Sequence, residues 1–386
     1  MLTASPAPTR CPAPRPAAAL LPPLLRRAAP ALLGYLAVRT LGLLVLARWA
    51  HLKGHGVWPT LATSWDSHWY LGIADHGYDH GLVHHSSLAF FPLYPALVKA
   101  VAAVTPGSRA SVGLVVAGVS SLCAALGIFA VGERLHGRRT GAVLVVLWGA
   151  SPVAVVQWMG YTESLFTALA AGALYAVLAG RWGWAAGCAV AAGLTRPTGI
   201  AVAAAVSVAA LLAARRGDRP ALVAAFAAPL GWLGFTGWVG LRLGRWDGYL
   251  AVQRTWANEW DGGAVTLRTL RGLLLHARQP QLFLVAVSAV LVVAAALYVL
   301  SAADRRDRQP VPLLVFTGVL LVVVLGSGGV YFPRARFLLP GFPLLLPVAL
   351  AVARARFATA AVVLGGAALS SAWLGGYMLL VWPGPP

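Results

Sequence analysis

Apolar stretches long enough to cross a lipid bilayer recur along most of this 386-residue chain. A helix needs roughly 20 apolar residues to traverse the hydrocarbon core. Ala31–Ala50, Ser111–Gly132, Ala221–Leu241, Gln281–Ala302 and Phe357–Leu379 all qualify. Only 11% of residues are charged and 59% are hydrophobic, with a mean hydropathy of +0.75. Soluble domains carry about a quarter of their residues as charges, so a water-facing surface cannot be built from this composition. The runs are continuous and rich in Ala, Leu and Val, without the period-2 alternation of a membrane β-barrel. The fold class expected is all-α and integral to a membrane.

Eleven transmembrane segments are expected, at about 31–50, 111–132, 141–158, 163–180, 183–196, 198–214, 220–242, 281–302, 311–327, 337–353 and 357–380. The net charge of +19 comes from 30 Lys and Arg against 11 Asp and Glu. In a soluble chain such an excess suggests nucleic acid. Here the arginines sit in short loops, which favours membrane topology and no nucleic-acid partner. Phe90–Val104 decides the register: it is short, holds Pro92, Pro95 and Lys99, and either spans or lies flat. If it lies flat, one side collects Arg10, Arg15, Arg26, Arg27, Arg134, Arg138, Arg139, Arg181, Arg215, Arg216, Arg219, Arg305, Arg306, Arg308, Arg354 and Arg356. If it spans, these clusters split across both sides. The flat arrangement makes the basic side cytoplasmic and leaves interfacial helices in the first outer loop.

Residues 1–30, rich in Pro, Ala and Arg, read as a disordered basic cytoplasmic tail. A cleaved signal peptide is the rival reading, against which stands the long apolar run after Arg26-Arg27 with no convincing cleavage site. Residues 31–386 then form one transmembrane domain. Its extracytoplasmic loops run over 51–110 and 243–280, with a short third around Tyr331–Arg336. The three cysteines, Cys11, Cys123 and Cys188, show no disulfide framework or metal spacing.

Seven of the eleven acids fall in or beside the outer loops: Asp66, Asp75, Asp79, Glu163, Asp247, Glu259 and Asp261. The first loop reads Ser64-Trp65-Asp66-Ser67-His68-Trp69-Tyr70 and continues to Ala89-Phe90-Phe91-Pro92. Carboxylates among Trp, Tyr and His suit a carbohydrate site, because aromatic faces take apolar ring surfaces and a carboxylate takes a hydroxyl proton. An interfacial aromatic belt with solvated acids is the plainer alternative. His76, His80 and His84 recur every four residues with His85 adjacent, the spacing of a zinc site on a helix; Gly77 and Gly81 interrupt that helix, favouring solvated loop histidines. Glu163 is expected at a helix start, where the helix dipole favours an acid, and is also a functional candidate at the membrane boundary. Arg39 lies inside the first helix and Arg196 in a tight turn; either snorkels or pairs with Asp66 or Glu163. Arg334 and Arg336 offer a bidentate clamp for a lipid phosphate or, more plainly, headgroup contacts.

These pieces, in order, resemble the PIG-V-like mannosyltransferases of the GT-C class, in a bacterial form. The resemblance rests on Trp65-Asp66 with His68-Trp69-Tyr70-Leu71, Ile73-Ala74 with Gly77-Tyr78, and Ala89-Phe90-Phe91-Pro92 with Pro95. It continues through Tyr161-Thr162-Glu163-Ser164-Leu165-Phe166, Ala186-Gly187, Gly193-Leu194-Thr195-Arg196, Gln253 with Trp256, and Arg336-Phe337 with Pro343. It covers about residues 35–350. The stretch Asp79–Ser87 departs from the family pattern, being longer and richer in His.

The resemblance implies a GT-C-like bundle in the cell membrane that takes mannose from a polyprenyl-phosphate carrier on the extracytoplasmic face, with inversion. Asp66 matches the essential acid of the first loop, and Glu163 a second acidic position. Trp65, His68, Trp69, Tyr70, Arg196, Gln253, Trp256, Arg334 and Arg336 are then the substrate-binding candidates. No cofactor is indicated, and a divalent metal is not obligatory. The acceptor is left open among glycolipid, lipoglycan and protein. A multi-helix transporter or flippase, or a non-catalytic subunit of a glycosylation complex, are the alternative functions.

Overall fold

The computed structural model describes residues 23–278 and 281–385. Among these there is no β-strand, only an isolated bridge between Trp260 and Ser327. Five helices are long and apolar enough to cross a membrane: Pro23–Lys53, Arg109–His136, Pro220–Leu243, Leu282–Ala303 and Phe357–Leu380. The other expected spans also fall on helices, but these are shorter. The first helix starts at Pro23, earlier than expected: Pro23 to Pro30 are helical rather than part of a disordered tail. The rest of that tail lies outside the described residues. The expected segment 141–158 is broken, α-helical to Gly149 and resuming as a 3₁₀ turn at Ala154–Trp158.

Helix α1 (Pro23–Lys53) leads to two short helices, α2 (Val57–Ala62) and α3 (Asp66–His76), and then to α4 (Leu93–Ala102). Helix α4 has 10 residues, about 15 Å of rise, half the roughly 30 Å of a hydrocarbon core. It lies against α5 (Arg109–His136), with the Tyr94 hydroxyl donating to the Gly113 carbonyl at 2.9 Å. Helices α6 (Arg138–Gly149), α7 (Glu163–Leu178), α8 (Trp182–Gly193) and α9 (Gly199–Ala214) follow. Then come α10 (Pro220–Ala227), α11 (Leu230–Leu243), α12 (Gly248–Thr255) and α13 (Ala264–Leu275). The chain closes with α14 (Leu282–Ala303), α15 (Val311–Gly326), the one-turn α16 (Arg334–Phe337), α17 (Leu346–Arg354) and α18 (Phe357–Leu380).

Helix α5 has 28 residues, a rise of about 42 Å, and its polar contacts mark two ends of the bundle. At its start Arg109 pairs with Asp75; near its finish Glu133 faces Arg27 and Arg138 at 3.7 and 3.8 Å. The basic loops gather at this second end. Arg134 caps the Leu178 carbonyl at 2.8 Å, Arg139 that of Ala355 at 2.9 Å, and Arg354 pairs with Asp307 at 2.8 Å. The loops that carry Asp66, Arg196 and Arg336 lie at the first end.

Small residues let the helices approach closely, as expected where lipid offers no hydrophobic drive between them. A Cβ on Gly132 would stand 2.7 Å from the Cα of Gly141, so only glycine allows this α5–α6 crossing. The main core is continuous through α1, α5, α6, α7, α9, α15 and α17. It closes one side of the loop cluster and gives it a rigid base.

Candidate active site

Two acids sit at helix starts. Asp66 opens α3 and Glu163 opens α7, where the positive end of the helix dipole suits an acidic side chain. Trp65, just before Asp66, has φ 50°, a conformation that L side chains seldom adopt. Gly160 brings the two starts together. Its N–H donates to the Leu61 carbonyl at 2.9 Å, and a Cβ there would stand 3.0 Å from the Ser67 Oγ. The Asp66 N–H faces the Tyr161 hydroxyl at 3.4 Å.

Two arginines arrive from distant segments. Arg196 lies in the link between α8 and α9, and Arg336 in α16. Arg336 Nη2 donates to Asp66 Oδ2 at 2.6 Å, and Arg196 Nη1 lies 2.6 Å from Glu163 Oε1. The same Glu163 oxygen is 3.8 Å from Arg336 Nε. Glu163 thus bridges both guanidiniums. Its side chain is 1% exposed against 24% for Asp66. Arg196 aims its hydrogen bond at Thr162 Oγ1, 2.9 Å away, and Tyr70 shares that hydroxyl at 3.2 Å. Aromatic faces support the cations: Arg336 over Tyr161 and Phe337 at 5.0 and 5.2 Å, Arg196 over Phe337 at 5.2 Å. Several buried polar atoms find no hydrogen-bond partner, among them Arg336 Nε and Nη1, Arg196 Nε and both Glu163 oxygens.

A cavity of about 410 Å³ opens onto this cluster. Of the expected site residues, Asp66, Tyr70, Arg196, Gln253, Trp256, Arg334 and Arg336 line it. Glu163, Trp65, His68 and Trp69 do not. Glu163 lies behind the arginines, and His68 is exposed on α3. Trp69 backs the cavity wall, stacked on Phe90 at 5.7 Å and edge-on to Trp256 at 5.1 Å.

Arg334 is 2% exposed and Arg336 5%, so neither is a surface headgroup contact. The Arg334 guanidinium is held by Thr266 Oγ1 and the Ser327 carbonyl. Arg39 is buried in α1 beside Gly42 and joins no ion pair among the described residues, so neither expectation for it holds.

The second loop supplies the remaining wall. A hydrogen-bonded chain runs from the Tyr249 hydroxyl to Gln253 at 2.8 Å, on to Asn258 at 2.8 Å and to Ser327 Oγ at 2.6 Å. Asn258 and Ser327 line the cavity and were not expected there, because their positions depend on this contact between separate loops. Asp261 caps α13, and the backbone N–H groups of Val265 and Gly263 hold its carboxyl below the usual carboxylate range. Burial pushes the Tyr161 and Tyr249 phenols well above their usual range, so both act as neutral hydrogen-bonding groups.

The histidines do not form the zinc face their spacing suggested. Helix α3 ends at His76 because Gly77 takes φ 81°, which breaks the register that would align His80 and His84. No three metal-binding side chains converge among the described residues.

Three guanidiniums and two carboxylates around one cavity leave an excess positive charge beside a half-buried carboxylate. The arrangement can hold an anion and accept a proton within the same space.

No protein-family model and no curated protein matches the sequence. Solved structures do match. The oligosaccharyltransferase of Archaeoglobus fulgidus in its apo form aligns with a TM-score of 0.51 at 14% identity, over 91% of this chain and 56% of that one. The archaeal oligosaccharyltransferase AglB from Archaeoglobus fulgidus, in complex with an inhibitory peptide and a dolichol-phosphate, aligns with a TM-score of 0.50 at 13% identity over the same shares. The chain spans just over half the length of these neighbours. The likeness lies in the fold, which is GT-C-like.

Proposed function

We propose that this chain is a membrane glycosyltransferase that moves mannose from a polyprenyl-phosphate donor to an acceptor hydroxyl on the extracytoplasmic face. The observation that carries the reading is the Asp66–Arg336 contact at 2.6 Å inside a 410 Å³ cavity, backed by Arg196 and the bridging Glu163. A GT-C-like fold and a solved neighbour held with a dolichol-phosphate are consistent with a lipid-phosphate donor. The mannosyl specificity rests on the sequence resemblance alone.

In this reading the five long helices and the shorter ones complete about eleven passes. The basic end is cytoplasmic by the positive-inside rule. The donor phosphate binds at Arg196 and Arg336, whose buried donors without acceptors it would satisfy. The acceptor oxygen attacks the anomeric carbon from the face opposite the phosphate. The C–O bond to the acceptor forms, the bond to the phosphate oxygen breaks, and that oxygen leaves with the electron pair. Asp66 takes the acceptor proton. The guanidiniums stabilise the charge that grows on the leaving phosphate, which favours the transition state over the ground state. Glu163 is a positioning residue here: it touches both guanidiniums but does not line the cavity.

The prenyl chain has a place beside this site. An apolar groove of about 810 Å³ runs between α13, α14 and α15. Thr266 lines the groove and binds Arg334, which lines the reaction cavity. One side-chain contact therefore separates the two spaces.

The test is Asp66→Asn, assayed for mannose transfer from polyprenyl-phosphate-mannose in membranes. Turnover should fall by at least about a hundredfold at normal expression. Unchanged turnover removes Asp66 as the base. No consumption of the donor by the native chain removes the reading and leaves a transporter or a non-catalytic subunit.

A further inference from the structure

The stretch Asp79–Ser87, where the sequence departs from the family it resembles, folds into a closed loop at the cavity mouth. Its base is held several times over. The Asp79 carboxylate accepts from the Ser87 N–H at 2.6 Å, and the Asp79 N–H donates to Ser87 Oγ at 3.0 Å. Arg242 Nε donates to the Asp79 carbonyl at 3.1 Å. The indole of Trp256 reaches across from the second loop and donates to the Ser86 carbonyl at 3.0 Å. Next to this base, His85 is exposed, lines the cavity and packs on Trp256 with ring centroids 4.6 Å apart.

His85 has φ 52°. A non-glycine residue there costs of order 1–3 kcal/mol and persists only where its surroundings over-determine it, a pattern that concentrates at functional sites. The three non-glycine residues with positive φ among the described residues are Trp65, His85 and Ala257. Each lies at the site: Trp65 precedes Asp66, His85 lines the cavity, and Ala257 stands between Trp256 and Asn258.

Two chemically different sets of side chains line the cavity. Arg196, Arg334 and Arg336 form a cationic set. Phe90, Gln253, Trp256, Asn258 and His85 form a second wall-lining set that carries aromatic, amide and imidazole groups, in which His85 packs on Trp256 and Gln253 bonds to Asn258. Two substrates must meet in this space, and the anionic one is drawn to the arginines. The second set offers aromatic faces edged with amide and imidazole groups, which suits an uncharged ring bearing hydroxyls.

We propose that His85 is a specificity-determining residue, and that the wall it forms with Trp256 and Gln253 binds the ring of an uncharged saccharide acceptor. This rests on the glycosyl-transfer reading above. The loop 79–87 sets which acceptor fits, while the arginine set stays with the donor.

The experiment uses the full chain in lipid nanodiscs and the variant His85→Gly. Glycine favours φ 52°, so the loop keeps its path while the ring is lost. Isothermal titration of methyl α-mannoside without donor should show Kd raised about tenfold in the variant. In transfer to an alkyl mannoside, acceptor KM should rise about tenfold with kcat and donor KM within about twofold. Unchanged acceptor Kd and KM, or a donor KM that rises in step, overturns the proposal. Native protein that binds the saccharide through His85 but transfers no sugar keeps the saccharide site, and removes the glycosyl-transfer reading and the acceptor role with it. Native protein that glycosylates a Ser/Thr peptide but not the saccharide keeps that reading and overturns the proposal.

Discussion

Asp66 and Arg336 stand 270 residues apart in the chain and 2.6 Å apart in space. The contact ties up one carboxylate oxygen of Asp66, which cannot meet an acceptor hydroxyl while the guanidinium holds it. An anion arriving at Arg336 competes for the same donors and releases Asp66. Donor binding and activation of the base are thus coupled through one side chain. Arg336→Gln should lower kcat by about 10²–10³, the cost of losing a donor aimed at developing charge. Arg336→Lys should not restore it, because a single ammonium cannot reach Asp66 and Glu163 together in the geometry of the guanidinium fork. Transfer within about threefold of the native rate in either variant would remove Arg336 from the mechanism.

Glu163 makes a different prediction. It is buried, bridges Arg196 and Arg336, and lies outside the cavity wall. Glu163→Gln leaves two buried cations under-compensated, which costs about 3–5 kcal/mol when one partner of a buried pair is lost. Thermal unfolding in detergent should show this as a lowered midpoint. Rates should also fall, since the arginines lose their alignment. The rate of the Asp66→Asn, Glu163→Gln double variant should be close to that of Asp66→Asn alone, because both residues act through one assembly. Full multiplication of the two effects would mean that Glu163 acts independently.

The helices were legible because their signal is local. Runs such as 111–132 and 357–380 carry their own solvent preference, and α5 and α18 follow them closely. The sorting of the arginines was legible too: Arg27, Arg138, Arg139 and Arg354 do share one end of the bundle. Contacts between distant segments were not legible. Arg334 and Arg336 look equivalent in sequence, yet one guanidinium is held by Thr266 and Ser327 and the other faces Asp66. His85 reads as a solvated loop residue, because its place over Trp256 depends on an indole that bonds to Ser86 from 170 residues away. Pro23 to Pro30 read as tail together with the Pro-, Ala- and Arg-rich stretch before them, although Pro23 stands at the helix start, where a proline costs little.

Gly160 tests how tightly the acid pair is placed. In Gly160→Ala the new Cβ would stand 3.0 Å from Ser67 Oγ and 3.3 Å from the Ala62 carbonyl. Relief moves the start of α3 and Asp66 with it. Overpacking of this kind costs about 1–3 kcal/mol, and kcat should fall about tenfold through misplacement of the base. Gly72→Ala is the control on the same helix: nothing lies within 4 Å of its Cβ position, so rate and midpoint should hold. Equal loss in both variants would point to helix α3 in general rather than to the Gly160 contact.

Sidedness is directly measurable. In a chain with Cys11, Cys123 and Cys188 replaced by serine, Thr63→Cys and Arg215→Cys place single thiols at exposed positions toward opposite ends of the bundle. A membrane-impermeant maleimide should label the first in intact cells and the second only after permeabilisation, as the positive-inside rule requires. The reverse pattern would put the cavity on the cytoplasmic side and exclude an extracytoplasmic active site.

The groove between α13, α14 and α15 separates chain recognition from chemistry. Val322 lines it and is 58% exposed. Val322→Trp fills the groove without touching Asp66, Arg196 or Arg336. For a full-length polyprenyl-phosphate donor, KM should rise about tenfold, since a buried apolar chain loses contact area. For a donor with a short prenyl chain, KM and kcat should stay near native values, because that chain does not reach the blocked region. A variant that treats both donors as the native protein does would place the prenyl chain outside this groove. A variant that slows both equally would mean that the groove acts on the reaction cavity through Thr266 and Arg334.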